Sequence, residues 1–199
     1  MTDEQIALGI SGSPSPASSS RRLVEQALAL VAGRGWETDL IDLSALPAGA
    51  LLARSEDPAV SAALDRVAAA RILVIGTPVY RATYTALLKT IFDLMPQDHL
   101  AGKVAVLIAT GAIAEHMLAI DHGLRPLVAS LAGVSAATGI YATPADFTDG
   151  TPGEALAQRL ADAVDEALRL AGLSRSDPAP AIFTSQRTLV TRPKRGRRR

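Results

Sequence analysis

The 199-residue chain has no cysteine, three histidines and few aromatics, 4% of its residues. The missing cysteine excludes disulfides, thiolate-held zinc, iron–sulfur clusters and cysteine nucleophiles. Long apolar runs are missing too. Stretches such as Val104–Ala109 fall far short of the roughly 20 residues a bilayer-spanning helix needs, so no membrane partner is expected. The opening MTDEQIALGI carries two acidic residues and lacks the build of a signal peptide, and a cytoplasmic setting follows. No G-x-S-x-G, S-x-x-K or H-E-x-x-H occurs, which removes the common hydrolase and zinc-protease readings. Glu115–His116 and Asp121–His122 pair acids with imidazoles. Their histidines stand six apart and share no helix face, so no metal site is expected.

Net charge is zero, but unevenly spread. Seven basic residues (Arg187, Arg192, Lys194, Arg195, Arg197, Arg198 and Arg199) lie beyond position 186 with no acid among them. Setting them aside leaves 13 basic against 20 acidic residues over 1–186, a charge of −7. The body of the chain is a poor nucleic-acid binder, and only the tail has the charge for that role. Pro178, Pro180 and Pro193 mark 174–199 as an extended basic tail behind a single domain over 1–173.

Within that domain, short apolar runs alternate with helical patterns. Strands are expected at Gln5–Ser11, Trp36–Asp42, Arg71–Thr77, Lys103–Thr110 and Val134–Tyr141. IALGI, ILVIG and VAVLIA are nearly continuous apolar runs, which suits parallel strands covered on both faces. Leu23, Ala27, Leu30 and Val31, and later Leu156, Leu160, Val164 and Leu168, recur at helical spacing, with Gly33 and Gly35 placed to end the first helix. The implied architecture is an α/β sandwich of three layers. Leu87, Leu88, Ile91, Phe92, Leu94 and Met95 make one helix apolar nearly all round, so cover by another subunit is expected there.

Ligands of such sheets sit at the strand carboxyl ends, where three loops are unusual. Ser11–Arg21 is rich in small residues and hydroxyls, lacks lysine and the G-x-G-x-x-G pattern, and opens a helix. It suits a phosphate that is held and never transferred; the plainer alternative is a linker with Ser18 or Ser20 as helix cap. Thr77–Tyr84 joins Pro78 to two tyrosines, a surface for a planar ring or simply a turn with an aromatic anchor. Arg81 within it is a candidate contact for a ligand's phosphate or simply an exposed charge. Thr110, Gly111 and Ala112 leave room and backbone N–H groups where a ring could lie.

Three stretches carry a family likeness: GSP followed by serines 18–20, TPVYRATYTALLKTIFDLMP at 77–96, and KVAVLIATGAIAEHMLAIDHGLRPLVASL at 103–131. Over about residues 5–142 the chain resembles the NAD(P)H-dependent FMN reductases, most of all the branch that supplies reduced flavin to sulfonate monooxygenases. The resemblance implies a flavodoxin-like fold with a five-stranded parallel sheet in the order 2-1-3-4-5 and helices on both faces. It implies FMN with NADPH or NADH, a homodimer or homotetramer, and a flavin-dependent monooxygenase as partner. By position it gives the phosphate loop to Ser13, Ser18, Ser19 and Ser20, the flavin-ring loop to Pro78, Val79 and Tyr80, and the small loop to Thr110, Gly111 and Ala112. Pro16 and Ala17 stand where the sulfonate-linked members have a basic residue, with Arg21 or Arg22 as the replacement; Arg21 is taken as the candidate. Alternatives of other kinds are an FMN-retaining quinone or azo reductase and a flavodoxin-type electron carrier.

Pro126 has no N–H, so the carbonyl of His122 loses its partner four residues on, and a helix over Glu115–Leu131 must kink or bulge near Asp121–Pro126. In similar reductases this region carries a π-type insertion at the subunit interface. The resemblance thus places His122 near the flavin of a neighbouring subunit, aiding flavin departure; the alternative is a proline kink that only shapes the contact.

Overall fold

A computed structural model of the chain describes residues 5–15 and 17–173. The expected basic tail, 174–199, lies outside the described residues. The sheet order is β2-β1-β3-β4-β5, all parallel, formed by β1 (Ile6–Ser11), β2 (Glu37–Asp42), β3 (Ile72–Pro78), β4 (Val104–Thr110) and β5 (Val134–Ser135). The first four strands match the apolar runs to within a residue at each end.

Alternation along each strand splits the core in two. Leu8, Ile10, Leu73, Ile75 and Leu107 face α2 (Ala48–Leu51), α3 (Pro58–Ala69), α4 (Ala86–Leu94) and α5 (Arg125–Ala129). Ala7, Ile72, Val74, Val106 and Ile108 face α1 (Ser19–Ala32) and α6 (Glu154–Leu173). Helix α1 buries Leu23, Val24, Ala27, Leu28 and Val31, and each fully buried leucine or valine contributes about 1.5–3 kcal/mol before ordering entropy is counted. Asp57 caps α3 by accepting from the Ala59 N–H at 2.8 Å, followed by Pro58 in the first turn. Lys103, half-buried, donates to the carbonyls of Ala68 and Ala70 where α3 ends. Burial holds its pKa below the ordinary lysine value, with Arg71 adding repulsion.

Three expectations need correction. Val134–Tyr141 is not one strand. Val134–Ser135 pairs with Val104–Ala105, β6 (Ile140–Ala142) pairs with Ile108–Thr110, and the chain loops out between them. Two charged side chains hold that bulge. The Arg125 guanidinium donates to Ser135 Oγ and the Ala136 and Ala137 carbonyls, and Glu166 of α6 accepts from the Ala137 and Thr138 N–H groups at 2.6 and 3.0 Å. Burial pushes the Glu166 pKa up, but the two N–H donors outweigh it and the net shift is downward.

Residues 115–131 do not form one helix either. A 3₁₀ turn at Ala114–His116 leads to a π turn at Ile120–Leu124 and then α5, with Pro126 in its first turn. The π turn falls where the missing Pro126 N–H requires the ladder to shift. The apolar perimeter of α4 is also covered from within. Leu88, Ile91, Phe92 and Met95 are buried, and Leu87 and Leu94 pack half-buried against the same core, so this helix gives no argument for a second subunit. Among the described residues, no helix is long and apolar enough to cross a membrane.

Candidate functional site

The carboxyl ends of β1, β3, β4 and β6 converge on one cleft of about 630 Å³, within the range usual for organic ligands. Its walls come from Ser18, Ser19 and Arg22 at the start of α1, Pro78–Tyr80 after β3, Thr110–Ala112 at the end of β4, and Ala142–Pro144, Phe147 and Gly150 after β6. The first three groups are the loops singled out in the sequence.

Hydrogen bonds tie these loops together. The Gly12 N–H donates to the Gly76 carbonyl at 2.8 Å, and the Gly12 carbonyl accepts from Thr85 Oγ1 at 2.6 Å. Thr85 is also the N-cap of α4, accepting from the Leu88 N–H at 3.1 Å, so one buried hydroxyl locks the first loop to the second. The Val79 N–H donates to the Thr110 carbonyl at 2.7 Å, and the Gly111 N–H to the Ala142 carbonyl at 3.0 Å. Tyr141 supports the third loop from below: its hydroxyl donates to the Ile113 carbonyl at 2.6 Å. Burial raises the pKa of that hydroxyl, and the Glu115 carboxylate adds to the shift. A Cβ on Gly111 would stand 2.0 Å from the Tyr141 oxygen, so only glycine leaves this contact intact.

The serine loop is arranged around its cap. Ser18 Oγ accepts from the Arg21 N–H at 3.1 Å and lies 3.2 Å from Ser20 Oγ. Ser20 is fully buried, as is Ser13, whose hydroxyl accepts from the Ser15 N–H at 3.1 Å. Of the four candidate serines, then, Ser18 and Ser19 line the cleft while Ser13 and Ser20 brace the loop. The N–H groups of Ser19 and Ser20, in the first turn of a 14-residue helix, have no acceptor among the described residues. The buried Ser11 hydroxyl has none either. Ser11 lies on the α1 side of the sheet, since a Cβ on Gly9, two residues earlier, would meet Val24 and Leu28. Unused donors at a helix start, next to a cation, suit a bound anion.

Arg21 is not at the cleft. Its guanidinium is held by Glu25 and Asp42, which keep its pKa raised, the Glu25 hydrogen bond most of all. Arg22 takes the expected place on the wall. Pro78, Val79 and Tyr80 line the cleft as anticipated, with Tyr80 54% exposed at the mouth. Arg81 sits beside it on a tight turn closed by the Tyr80 N–H to Thr83 carbonyl bond at 2.9 Å. His122 lies apart from the cleft walls, exposed on the π turn; its neighbour Gly123 packs against Thr83 and Tyr84 behind that turn. The fourth wall was missed in the sequence. Its signal is T-P-A-D: the Asp146 carboxylate accepts from the Thr143 N–H and hydroxyl at 2.7 and 2.9 Å, a capping box that fixes the loop after β6.

A pocket with one positive end, a backbone-donor cradle and flat, mostly apolar walls fits a planar ligand with an anionic head. Comparison with known proteins agrees. Residues 7–148 match the NADPH-dependent FMN reductase family. An FMN reductase (NADPH) of Pseudomonas putida is 36% identical over 166 residues, covering 82% of this chain and 84% of that protein. The NADH-dependent FMN reductase SfnE of Pseudomonas putida is 38% identical over 83% of this chain and 91% of its own length. The apo NADH:FMN oxidoreductase EMOB superposes with a TM-score of 0.78 at 34% identity, covering 87% of this chain and 92% of that structure. The chain belongs to the NADPH-dependent FMN reductase family and is a flavodoxin-like NAD(P)H:FMN oxidoreductase.

Proposed function

We propose that this reductase takes FMN as a substrate and releases it reduced, in the cytoplasm, to a flavin-dependent monooxygenase. The observation that carries the reading is the cleft itself: walls built for the flavin, with its mouth open at the exposed Tyr80. Ser18, Ser19 and the first N–H groups of α1 hold the phosphate, Pro78–Tyr80 carry one face of the ring, and Thr110–Ala112 leave space along its edge. Bound FMN supplies the hydride acceptor and the reduced nicotinamide the hydride, so the chain needs no acid or base of its own. Its residues bind, stack and exclude water. Arg81, at the lip, meets the 2′-phosphate when the nucleotide is NADPH.

The protein works as a homodimer or homotetramer. Tyr80, Ile113, Met117 and Leu118 are large exposed apolar side chains bordering the cleft and the π turn, a patch suited to contact with a second copy. His122 stands on that turn and, in the assembly, aids flavin departure from a neighbouring subunit. Residues 1–173 make the reductase unit.

The test is NADPH and NADH oxidation by flavin-stripped protein as FMN is titrated in. Saturating dependence on added FMN, with little flavin carried through gel filtration, is expected, and His122→Ala should slow turnover while retaining more flavin. Oxidation that saturates at one tightly held FMN per chain and then requires a quinone or azo dye would replace this reading with a flavin-retaining reductase.

A further inference from the structure

Of the residues lining the cleft, Arg22 alone carries a charge. It stands in a chain whose residues 1–186 have a net charge of −7, so the body of the chain as a whole does not favour an incoming phosphate. The first loop holds no lysine, and Pro16 and Ala17 occupy its centre.

The two adjacent arginines of α1 have different fates because successive helical residues point about 100° apart. Arg21 is directed to Glu25 one turn on and to Asp42 at the end of β2, so its charge is neutralised. Arg22 has no carboxylate partner among the described residues. Its Nη2 donates to Ser19 Oγ at 3.1 Å, and its Nη1 rests against the turn at Gly150, where a Cβ would come within 2.8 Å. The side chain is therefore steered by two neutral contacts, one from the helix start and one from the far wall, with donors left over. Beside it is the unused N–H group of Ser19, which lines the same wall.

We propose that Arg22 is the specificity residue for the flavin 5′-phosphate, distinguishing FMN from riboflavin. The position supplies from α1 the positive charge that the first loop, with Pro16 and Ala17 at its centre, lacks. A guanidinium is suited to this because its planar donors match phosphate oxygens in pairs, where lysine presents a point charge. The proposal rests on the flavin-reductase reading and adds to it the residue that selects the substrate.

The test is flavin fluorescence quenching with no nicotinamide present, comparing FMN with riboflavin on the full chain and on Arg22→Gln, Arg22→Lys and Arg21→Gln. Arg22→Gln should weaken FMN by about 10- to 100-fold, the range of a lost charge-assisted hydrogen bond, and leave riboflavin within about twofold. Arg22→Lys should keep part of the preference, and Arg21→Gln the wild-type ratio of the two flavins. Equal losses for both flavins in Arg22→Gln, or unchanged FMN binding, would overturn the assignment. A wild-type protein that binds neither flavin would overturn the reductase reading beneath it, a result distinct from a preserved preference in Arg22→Gln.

Discussion

Two tight turns stand on the rim of the cleft, built to the same plan from opposite materials. Tyr80–Thr83 closes with Tyr80 N–H to Thr83 carbonyl and Thr83 N–H to Tyr80 carbonyl bonds, and puts Arg81 and Ala82 at φ of 52° and 66°. Thr148–Thr151 joins β7 (Phe147–Thr148) to β8 (Thr151–Pro152), with Asp149 and Gly150 at 48° and 76°. Asp-Gly is among the sequences that favour this left-handed pair; Arg-Ala is not. Left-handed backbone costs roughly 1–2 kcal/mol for a residue with a Cβ, so the first turn carries strain that the second largely avoids. Strain of this size persists where the surroundings fix it, and it gathers at binding sites. At the second turn what matters is a missing side chain, which leaves room for Arg22. At the first it is a side chain that is present: Arg81, exposed and with no partner among the described residues, next to Tyr80 at the mouth of the cleft.

The comparison breaks most visibly in nucleotide preference. Arg81→Ala should lower kcat/KM for NADPH by about 10- to 100-fold, the worth of one charged hydrogen bond, and leave NADH within about twofold. Steady-state rates with each nucleotide at saturating FMN decide it. Equal losses would mean the residue shapes the turn and does not read the 2′-phosphate. The stability effect is smaller and opposite in sign. Arg81→Asn combined with Ala82→Gly gives the turn the sequence it favours, and should stabilise the fold by about 1 kcal/mol once the added chain entropy of glycine is subtracted. For a chain of this size that is a rise in Tm of about 2–4 °C, accompanied by the same fall in kcat/KM with NADPH. A variant more stable yet less selective would show that the strain is kept for the arginine.

Those turns also mark how far the sequence could be read. β1, β3 and β4 were legible because a strand covered on both faces must be apolar almost throughout, and the π turn because Pro126 removes one N–H at a known place. Three loops of the cleft were legible from composition at the strand ends. The rest depended on partners distant in sequence. The break in the fifth strand is enforced by Arg125 and by Glu166, 28 and 29 residues beyond the N–H groups it accepts from. Glu25, four residues on, hinted that Arg21 was occupied, but Asp42 settles it from another strand, and only the fold brings Gly150 to Arg22. Thr85 was visible only as a threonine before an apolar run, and nothing in that pattern told of Gly12, 73 residues earlier. The apolarity of α4 was legible, but its cover was not, because a short helix closed in by its own chain reads like one closed in by a partner.

The smallest expected effect is the sharpest check on the second turn. Gly150→Ala puts a Cβ into left-handed backbone, a penalty of about 1–2 kcal/mol, while alanine's lower unfolded-state entropy returns about 0.4–1 kcal/mol. The remainder, near 1 kcal/mol, should lower Tm by about 2–4 °C. The added atom also meets the end of Arg22, but a guanidinium on a flexible stem can shift by an ångström or so where backbone could not. FMN affinity should therefore fall only a few-fold, well short of the loss in Arg22→Gln, and riboflavin affinity should not change. Ala82→Gly makes the reverse exchange at the first turn and should raise Tm by a similar amount with Arg81 still present. If the two substitutions shift Tm in the same direction, the contrast between the turns does not lie in backbone strain, and the retention of Arg-Ala at the first has another cause.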